Sequence, residues 1–427
     1  MGIILKGGQA HSGNSFITAD VLIKNGIIEK IAPNINAEGQ IVDCTGKYII
    51  PGLIDAHVHF REPGLTHKED FLTGSKAAAA GGVTTILEMP NTKPPVVTQK
   101  DLDEKRKLAQ KSLVNYGIYV LGCKENMKEI GNFEGIPGIK IYLGSSTGNY
   151  LTDDLGVFIE LLKNAKQTVV VHAENEQLVK YFSEQHKATE MHHKMRDNLC
   201  AVTSVAESSI AANYYGKKMH IAHMSTKEEV DFLRKNKTPN ISCEVCPHHL
   251  FLNESFFVQK KNFGKMNPPL RYERDQKALW EAIKEGIIDI VATDHAPHTL
   301  EEKHEDFWKG PCGVPGVQTM LPLLLNSVSE GKISLVDVVR LCSTNPARIF
   351  NIQKRGKLEA GYHADICIVD MNKEKTITNS EQHSKCGWTP FDGMKIKGWP
   401  VMTLVNGNIV YDGKINEAHK GREVEVN

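Results

Sequence analysis

The sequence predicts an α/β fold: a (β/α)8 TIM barrel carrying a small composite β-sandwich formed by both chain ends. Three observations lead there. Eight short apolar or β-branched runs recur through the middle of the chain, and most are followed by a loop and a stretch with helical spacing. Both ends instead alternate like strands with turn punctuation. At 427 residues the chain also exceeds one ordinary domain, so a large barrel with a smaller companion is the natural division.

The N-terminal pattern covers 1–50 and includes ADVLIKNGIIEKIAPNI, in which Asn25-Gly26 is a hairpin signal. The barrel is assigned to 51–354. Its strand-like runs are YIIPGLIDAHVHF (48–60), VTTILEMP (83–90), YGIYVLG (116–122), GIKIYLG (138–144), TVVVHAEN (168–175), MHIAHMS (219–225), NISCEVCPH (240–248) and DIVATDHAPH (289–298). Segments such as DDLGVFIELLKNAK and ERDQKALWEAIKEG lie between them with apolar residues at helical spacing. This alternation is that of parallel βα units. Residues 355–427 return to strand patterning, with a second hairpin signal at Asn406-Gly407, and are expected to meet residues 1–50 in one small β-sandwich.

Charge is balanced, with 51 Lys and Arg against 51 Asp and Glu, so no basic field gathers nucleic acid or anionic lipid. A small-molecule partner is favoured. Apolar runs are too short to span a bilayer and the first residues do not read as a signal peptide, which predicts a soluble cytoplasmic protein. Nine cysteines lack the dense spacing of a secreted disulfide framework. Cys243 and Cys246 form a CxxC without a second such pair, in a strand-like run, and read as core residues.

The chemistry concentrates at the ends of the strand-like runs. His57 and His59 are two apart and therefore share a face at the C-terminal end of a strand, where barrel enzymes build their sites. His172, His223 and Asp294 end the fifth, sixth and eighth runs. Five such ligands exceed the three of a mononuclear catalytic zinc site, so two metal ions are expected if something bridges them. Lys140, at the end of the fourth run, is a candidate bridge. Burial beside cations would leave its amine neutral and able to take up carbon dioxide as a carbamate, whereas a surface-directed or ion-paired lysine is the alternative reading.

The ordered motifs HVHFREPG (57–64), MPNT (89–92), KIYLGSSTGN (140–149), HAEN (172–175), HMS (223–225), CEVCPHHL (243–250), NPPLR (267–271) and TDHAPH (293–298) closely resemble dihydroorotases of the amidohydrolase superfamily. The resemblance is to the branch containing the dihydroorotase domain of the animal pyrimidine-synthesis multienzyme, and WTPFDGMKIKG (388–398) is also similar. It implies reversible cyclisation of N-carbamoyl-L-aspartate to L-dihydroorotate. By this resemblance His57, His59 and Asp294 hold one zinc ion, His172 and His223 the other, and N6-carboxylated Lys140 bridges them. One bacterial branch bridges its metals through an aspartate instead, and Asp153 or Asp154 keeps that alternative open.

Asp294 is the expected general acid and base, its two oxygens allowing ligation and proton transfer together. Arg61, on the face of His57 and His59, is expected to bind the substrate carboxylate bidentately, with Asn91 and His298 completing the clamp. The resemblance further assigns ring contacts to Asn267, Cys312 and Gly313. The charged segment 299–310 reads as a lid or a solvated loop. Dihydropyrimidinase, hydantoinase and allantoinase share the expected fold and metals, but their substrates lack the carboxylate that Arg61 would bind. A non-catalytic assembly partner should have lost ligands, and all six are present here. Members of the family are commonly dimers; association with a carbamoyltransferase stays open.

Overall fold

The computed structural model describes residues 2–145 and 150–426, so residues 146–149 of the KIYLGSSTGN motif lie outside the described residues. Five strands open the chain: β1 (Ile3–Ser12), β2 (Ser15–Lys24), β3 (Ile27–Ala32), β4 (Gln40–Asp43) and β5 (Tyr48–Pro51). They join three C-terminal strands, β15 (Ile366–Thr376), β16 (Lys395–Val405) and β17 (Asn408–Tyr411), in one eight-stranded sheet. The seam is the antiparallel pairing of β5 with β15, from Pro51 opposite Ile366 to Tyr48 opposite Val369. Inward residues from both ends, among them Leu5, Val21, Ile49, Ile366 and Leu404, pack in one apolar cluster. A small sheet-rich unit built from both chain ends is therefore present.

Both hairpin signals form the turns their residues favour. Asn25-Gly26 and Asn406-Gly407 all have positive φ, as a two-residue type I′ hairpin requires. The two tips also touch. A Cβ on Gly407 would stand 2.8 Å from Gly26 Cα, and one on Gly26 2.8 Å from the Asn406 carbonyl oxygen, so the contact admits only glycine.

The barrel strands are β6 (Leu53–Val58), β7 (Val83–Glu88), β8 (Asn115–Ile118), β9 (Val120–Leu121), β10 (Gly138–Tyr142), β11 (Thr168–His172), β12 (Met219–Met224), β13 (Ile241–Val245) and β14 (Ile290–Val291). All pair in parallel, in the orders β6-β7-β8 and β9 to β14. Strands β8 and β9 are one barrel position interrupted at Tyr119, whose amide donates to the Glu88 carbonyl at 3.0 Å. The ring closes where Val58 bridges His295 and the His59 amide donates to the His295 carbonyl at 2.8 Å. Eight positions result, as the eight runs predict.

The first run divides at Gly52 between the outer sheet and the barrel. There the backbone passes so close to Thr84 that a Cβ would lie 2.2 Å from its methyl carbon. Inside the barrel, Ile54, Leu87, Tyr119, Val170, Ala222 and Ile290 form an apolar layer beneath the strand ends, closed below by Phe350 and Val424. Residues 421–426 leave the small sheet to reach this floor, where Tyr116 exchanges backbone bonds with Arg422 and Val424. Among the described residues no helix is long and apolar enough to cross a membrane.

Candidate metal centre and active site

The C-terminal strand ends carry polar side chains onto the apolar layer. Three of these residues, Arg61, His223 and Asp294, adopt positive φ of 64°, 39° and 46°. Such backbone costs on the order of 1–3 kcal/mol per residue and persists only where its surroundings impose it. It turns consecutive strand ends inward.

Eleven of the twelve predicted site residues line one cavity, together with Tyr142, Met266 and Ala296. His57 and His59 face Asp294, whose Oδ1 lies 3.3 Å from His57 Nε2 and 2.9 Å from His59 Nε2. Ligand atoms of these three residues lie within 4.8 Å of one another, a candidate metal site. Across the cavity His172 Nδ1 is 3.0 Å from His223 Nε2, and the His57 and His223 rings are 5.4 Å apart. Burial raises the Asp294 carboxyl, but the neighbouring His57 and His59 outweigh it and hold the group well below the ordinary carboxylate range.

Lys140 lines the same cavity, its Nζ fully buried and without a hydrogen-bond partner. Burial lowers it to about 8, only partly offset by Glu244 and Asp294. An unpaired buried ammonium is costly, so the position suits a neutral or modified amine. Asp153 and Asp154 are exposed, and the Asp154 carboxylate caps the helix Leu155–Asn164 through the Gly156 and Val157 amides. Neither lines the cavity.

Two carboxylates that the sequence reading did not single out orient the imidazoles. Glu244, buried on β13, accepts from His57 Nδ1 at 2.5 Å and from His220 Nε2 at 3.1 Å. Such a bond leaves His57 Nε2 with its lone pair toward the cavity, the tautomer a metal requires. Glu174 contacts His172 Nε2 at 3.0 Å and is itself held by Arg196 at 2.5 Å. Their signal was in the sequence, since each is an acidic residue within an otherwise apolar strand or two past a candidate ligand.

Arg61 is buried beside the centre. Its Nε donates to the Pro297 carbonyl at 3.2 Å and an amino nitrogen lies 3.1 Å from His298 Nε2. Among the described residues no carboxylate stands within ion-pairing distance of it. Asn91 Oδ1 lies 2.7 Å from His59 Nδ1, while Asn267 Oδ1 is buried in the cavity wall without a partner. His298 lies outside the cavity lining: it sits behind Arg61, with Lys68 Nζ 3.1 Å from Nδ1 and the Cys312 carbonyl 3.0 Å from Nε2.

The segment 299–310 contains the short helix Leu300–His304 and is fastened from beneath. Lys303 Nζ donates to the carbonyls of Pro311 and Gly313 at 3.0 and 2.8 Å, and Lys265 Nζ to those of Phe307 and Gly310 at 2.5 and 2.6 Å. These bonds also hold Cys312 and Gly313 against the cavity.

The amidohydrolase family model matches residues 48–410, spanning every residue of this centre. A dihydroorotase of Methanosarcina mazei is 37% identical over 98% of this chain and 96% of its own length, and one of Bacillus cytotoxicus is 37% identical over 96% and 98%. The chain belongs to the dihydroorotase family of amidohydrolases. Its fold is shared more widely. The L-hydantoinase (dihydropyrimidinase) of Arthrobacter aurescens superposes with a TM-score of 0.95 at 28% identity, covering 99% of both chains. The dihydropyrimidinase of Brevibacillus agri gives 0.92 at 27%, over 99% of this chain and 98% of its own. Dihydroorotases thus exceed these cyclic-ureide hydrolases in identity, while sharing their architecture.

Proposed function

We propose that this protein is a dihydroorotase, hydrolysing the cyclic amide of L-dihydroorotate to N-carbamoyl-L-aspartate and catalysing the reverse cyclisation. The observation that carries the choice of substrate is Arg61. A buried guanidinium beside the candidate metal centre, with no protein carboxylate paired to it among the described residues, suits a carboxylate brought by the substrate. Residues 51–354 supply the chemistry in this reading, and residues 1–50 with 355–427 form the supporting domain, except that 421–426 brace the barrel floor.

The donor set fits a pair of zinc ions. His57, His59 and Asp294 would hold one, His172 and His223 the other, with carboxylated Lys140 between them. Carboxylation joins the neutral Lys140 amine to carbon dioxide through a new N–C bond and releases a proton, which turns an orphaned amine into an anionic bridge with two oxygens. When bound, such ions polarise the scissile carbonyl and acidify water. Asp294 takes the proton of the attacking water and delivers it to the leaving amide nitrogen, while Arg61 and Asn91 orient the substrate through its carboxylate. Asn267 and the backbone at Cys312 and Gly313 meet the ring, and His298 supports Arg61 from behind.

The test is metal content per chain alongside hydrolysis of dihydroorotate, dihydrouracil and hydantoin. At least two ions per chain, two of them lost when the His57, His59, His172, His223 and Asp294 ligands are removed, and turnover confined to dihydroorotate are expected. Turnover of hydantoin or dihydrouracil with none of dihydroorotate would overturn the assignment in favour of the ureide hydrolases that share the fold.

A further inference from the structure

Strand β13 ends in a second group of ligand-type side chains that lies outside the cavity just described. Cys246 follows Val245, and His248 and His249 stand in the short helix Pro247–Phe251. Cys246 is fully buried, and each histidine is 3% exposed, which excludes a solvated role. Ligand atoms of all three lie within 4.8 Å of one another. Tetrahedral zinc with one sulfur and two nitrogen ligands separates those atoms by about 3.3–3.6 Å, so small side-chain rotations would close the set.

The state of the imidazoles points the same way. His249 Nε2 lies 3.1 Å from the Pro268 carbonyl, an acceptor, so this nitrogen carries the proton. Its Nδ1 is thereby left as a lone pair, buried and without a partner. His248 Nε2 is likewise buried and unpartnered. A carbonyl that fixes the tautomer of an imidazole and leaves the other nitrogen bare is the usual outer support of a metal ligand. The rings are 4.3 Å apart and T-shaped, which brings the two side chains together without a hydrogen bond that uses both bare nitrogens. Cys243, the other half of the CxxC, has its Sγ directed to the Ile287 carbonyl at 3.2 Å and belongs to the apolar core. The pairing partner of Cys246 is therefore the histidine pair and not Cys243.

We propose that Cys246, His248 and His249 form a third metal site, separate from the candidate binuclear centre, for zinc or another borderline divalent ion. Binding exchanges the Cys246 S–H bond for a sulfur–metal bond and releases one proton. The ion would tie the end of β13 to the helix after it. A thiolate with two imidazoles suits zinc or cobalt and disfavours magnesium and calcium, which take oxygen.

Cobalt(II) tests this in the full chain. The ligands proposed for the binuclear centre contain no sulfur, and Cys312 is the cysteine that lines that cavity, so a near-ultraviolet thiolate-to-cobalt charge-transfer band that persists in Cys312→Ser belongs to the third site. Protein stripped by chelation and reloaded with cobalt should show that band and bind one ion more per chain than Cys246→Ser, in which the band disappears while the visible bands of the oxygen and nitrogen site persist. His249→Gln should weaken the band without removing the sulfur. Cobalt-saturated wild-type protein without a charge-transfer band overturns the proposal, however the variants fold. So does a band that survives in Cys246→Ser. Failure of the binuclear reading would instead appear as absence of visible cobalt bands in Cys246→Ser, or as absence of dihydroorotate turnover, with the sulfur band of the wild-type protein intact.

Discussion

Arg61 and Lys140 place a guanidinium and an amine in a buried cavity without protein counter-charges directly paired to them, and each therefore has a defined consequence on removal. Arg61→Met keeps much of the side-chain volume but deletes the charge-assisted contact to a substrate carboxylate. We expect kcat/KM for dihydroorotate to fall by about 100- to 1000-fold with metal content unchanged. Near-normal kcat/KM would remove the carboxylate role. Lys140→Ala is expected to lower bound metal by about one ion per chain and to abolish most turnover, with partial recovery on adding short carboxylic acids. Full metal occupancy in that variant would exclude the lysine bridge. Glu244→Gln acts one bond further out: it keeps the shape but weakens acceptance from His57 Nδ1, so metal affinity should drop about 10- to 100-fold by competition with a chelator. Unchanged affinity would make the Glu244 contact merely structural. Glu244 is also instructive about reading a sequence. Its partner His57 lies 187 residues away, and no spacing rule connects them. Only the oddity of a carboxylate inside ISCEV was visible.

At the scale of strands and loops, periodicity located all eight barrel positions because buried parallel strands are continuous apolar runs. It was less informative about their ends. The eighth run is ten residues long, but only Ile290–Val291 is strand, since Asp294 at positive φ turns the backbone into the site. The first run crosses from one sheet to another at Gly52, a change that hydrophobicity cannot register. The charged segment 299–310 left lid and surface loop open, and its fastening depends on two lysines that a sequence would place at the surface. Lys303 and Lys265 are 2% and 7% exposed. Lys303→Met should strip two carbonyls of their donor at a local cost of roughly 1–2 kcal/mol, and so speed tryptic cleavage at the exposed Lys309 about tenfold. Equal cleavage rates would mean that the segment is held without Lys303, by Lys265, by the Asn262 amide on the Glu305 carbonyl and by the Lys68–Glu302 pair.

Across the whole molecule, the barrel and the small sheet share a buried polar joint. Asn115, at the start of β8, donates from Nδ2 to Asp365 Oδ1 at 3.1 Å and accepts from Asn406 Nδ2 at 2.7 Å. Asp365 in turn pairs with Arg355, and its carbonyl accepts from the Gly52 amide at 2.8 Å. Asp365→Ala would leave the Arg355 charge buried and unpaired, at a cost of about 3–5 kcal/mol, and should lower the midpoint of denaturant unfolding. If barrel and sheet are one cooperative unit, probes in both will shift together; a shift confined to the sheet would show two independent units.

The seam between β5 and β15 also orders events in time. These strands are neighbours in space but are separated by about 300 residues of chain, which a ribosome synthesises in roughly 15–60 s. Throughout that interval β5 emerges with the edge meant for β15 unpaired, an open template for another nascent chain. Strand β15 thus covers an edge made long before it, which makes the nascent molecule a natural client for a chaperone until residues 366–369 arrive.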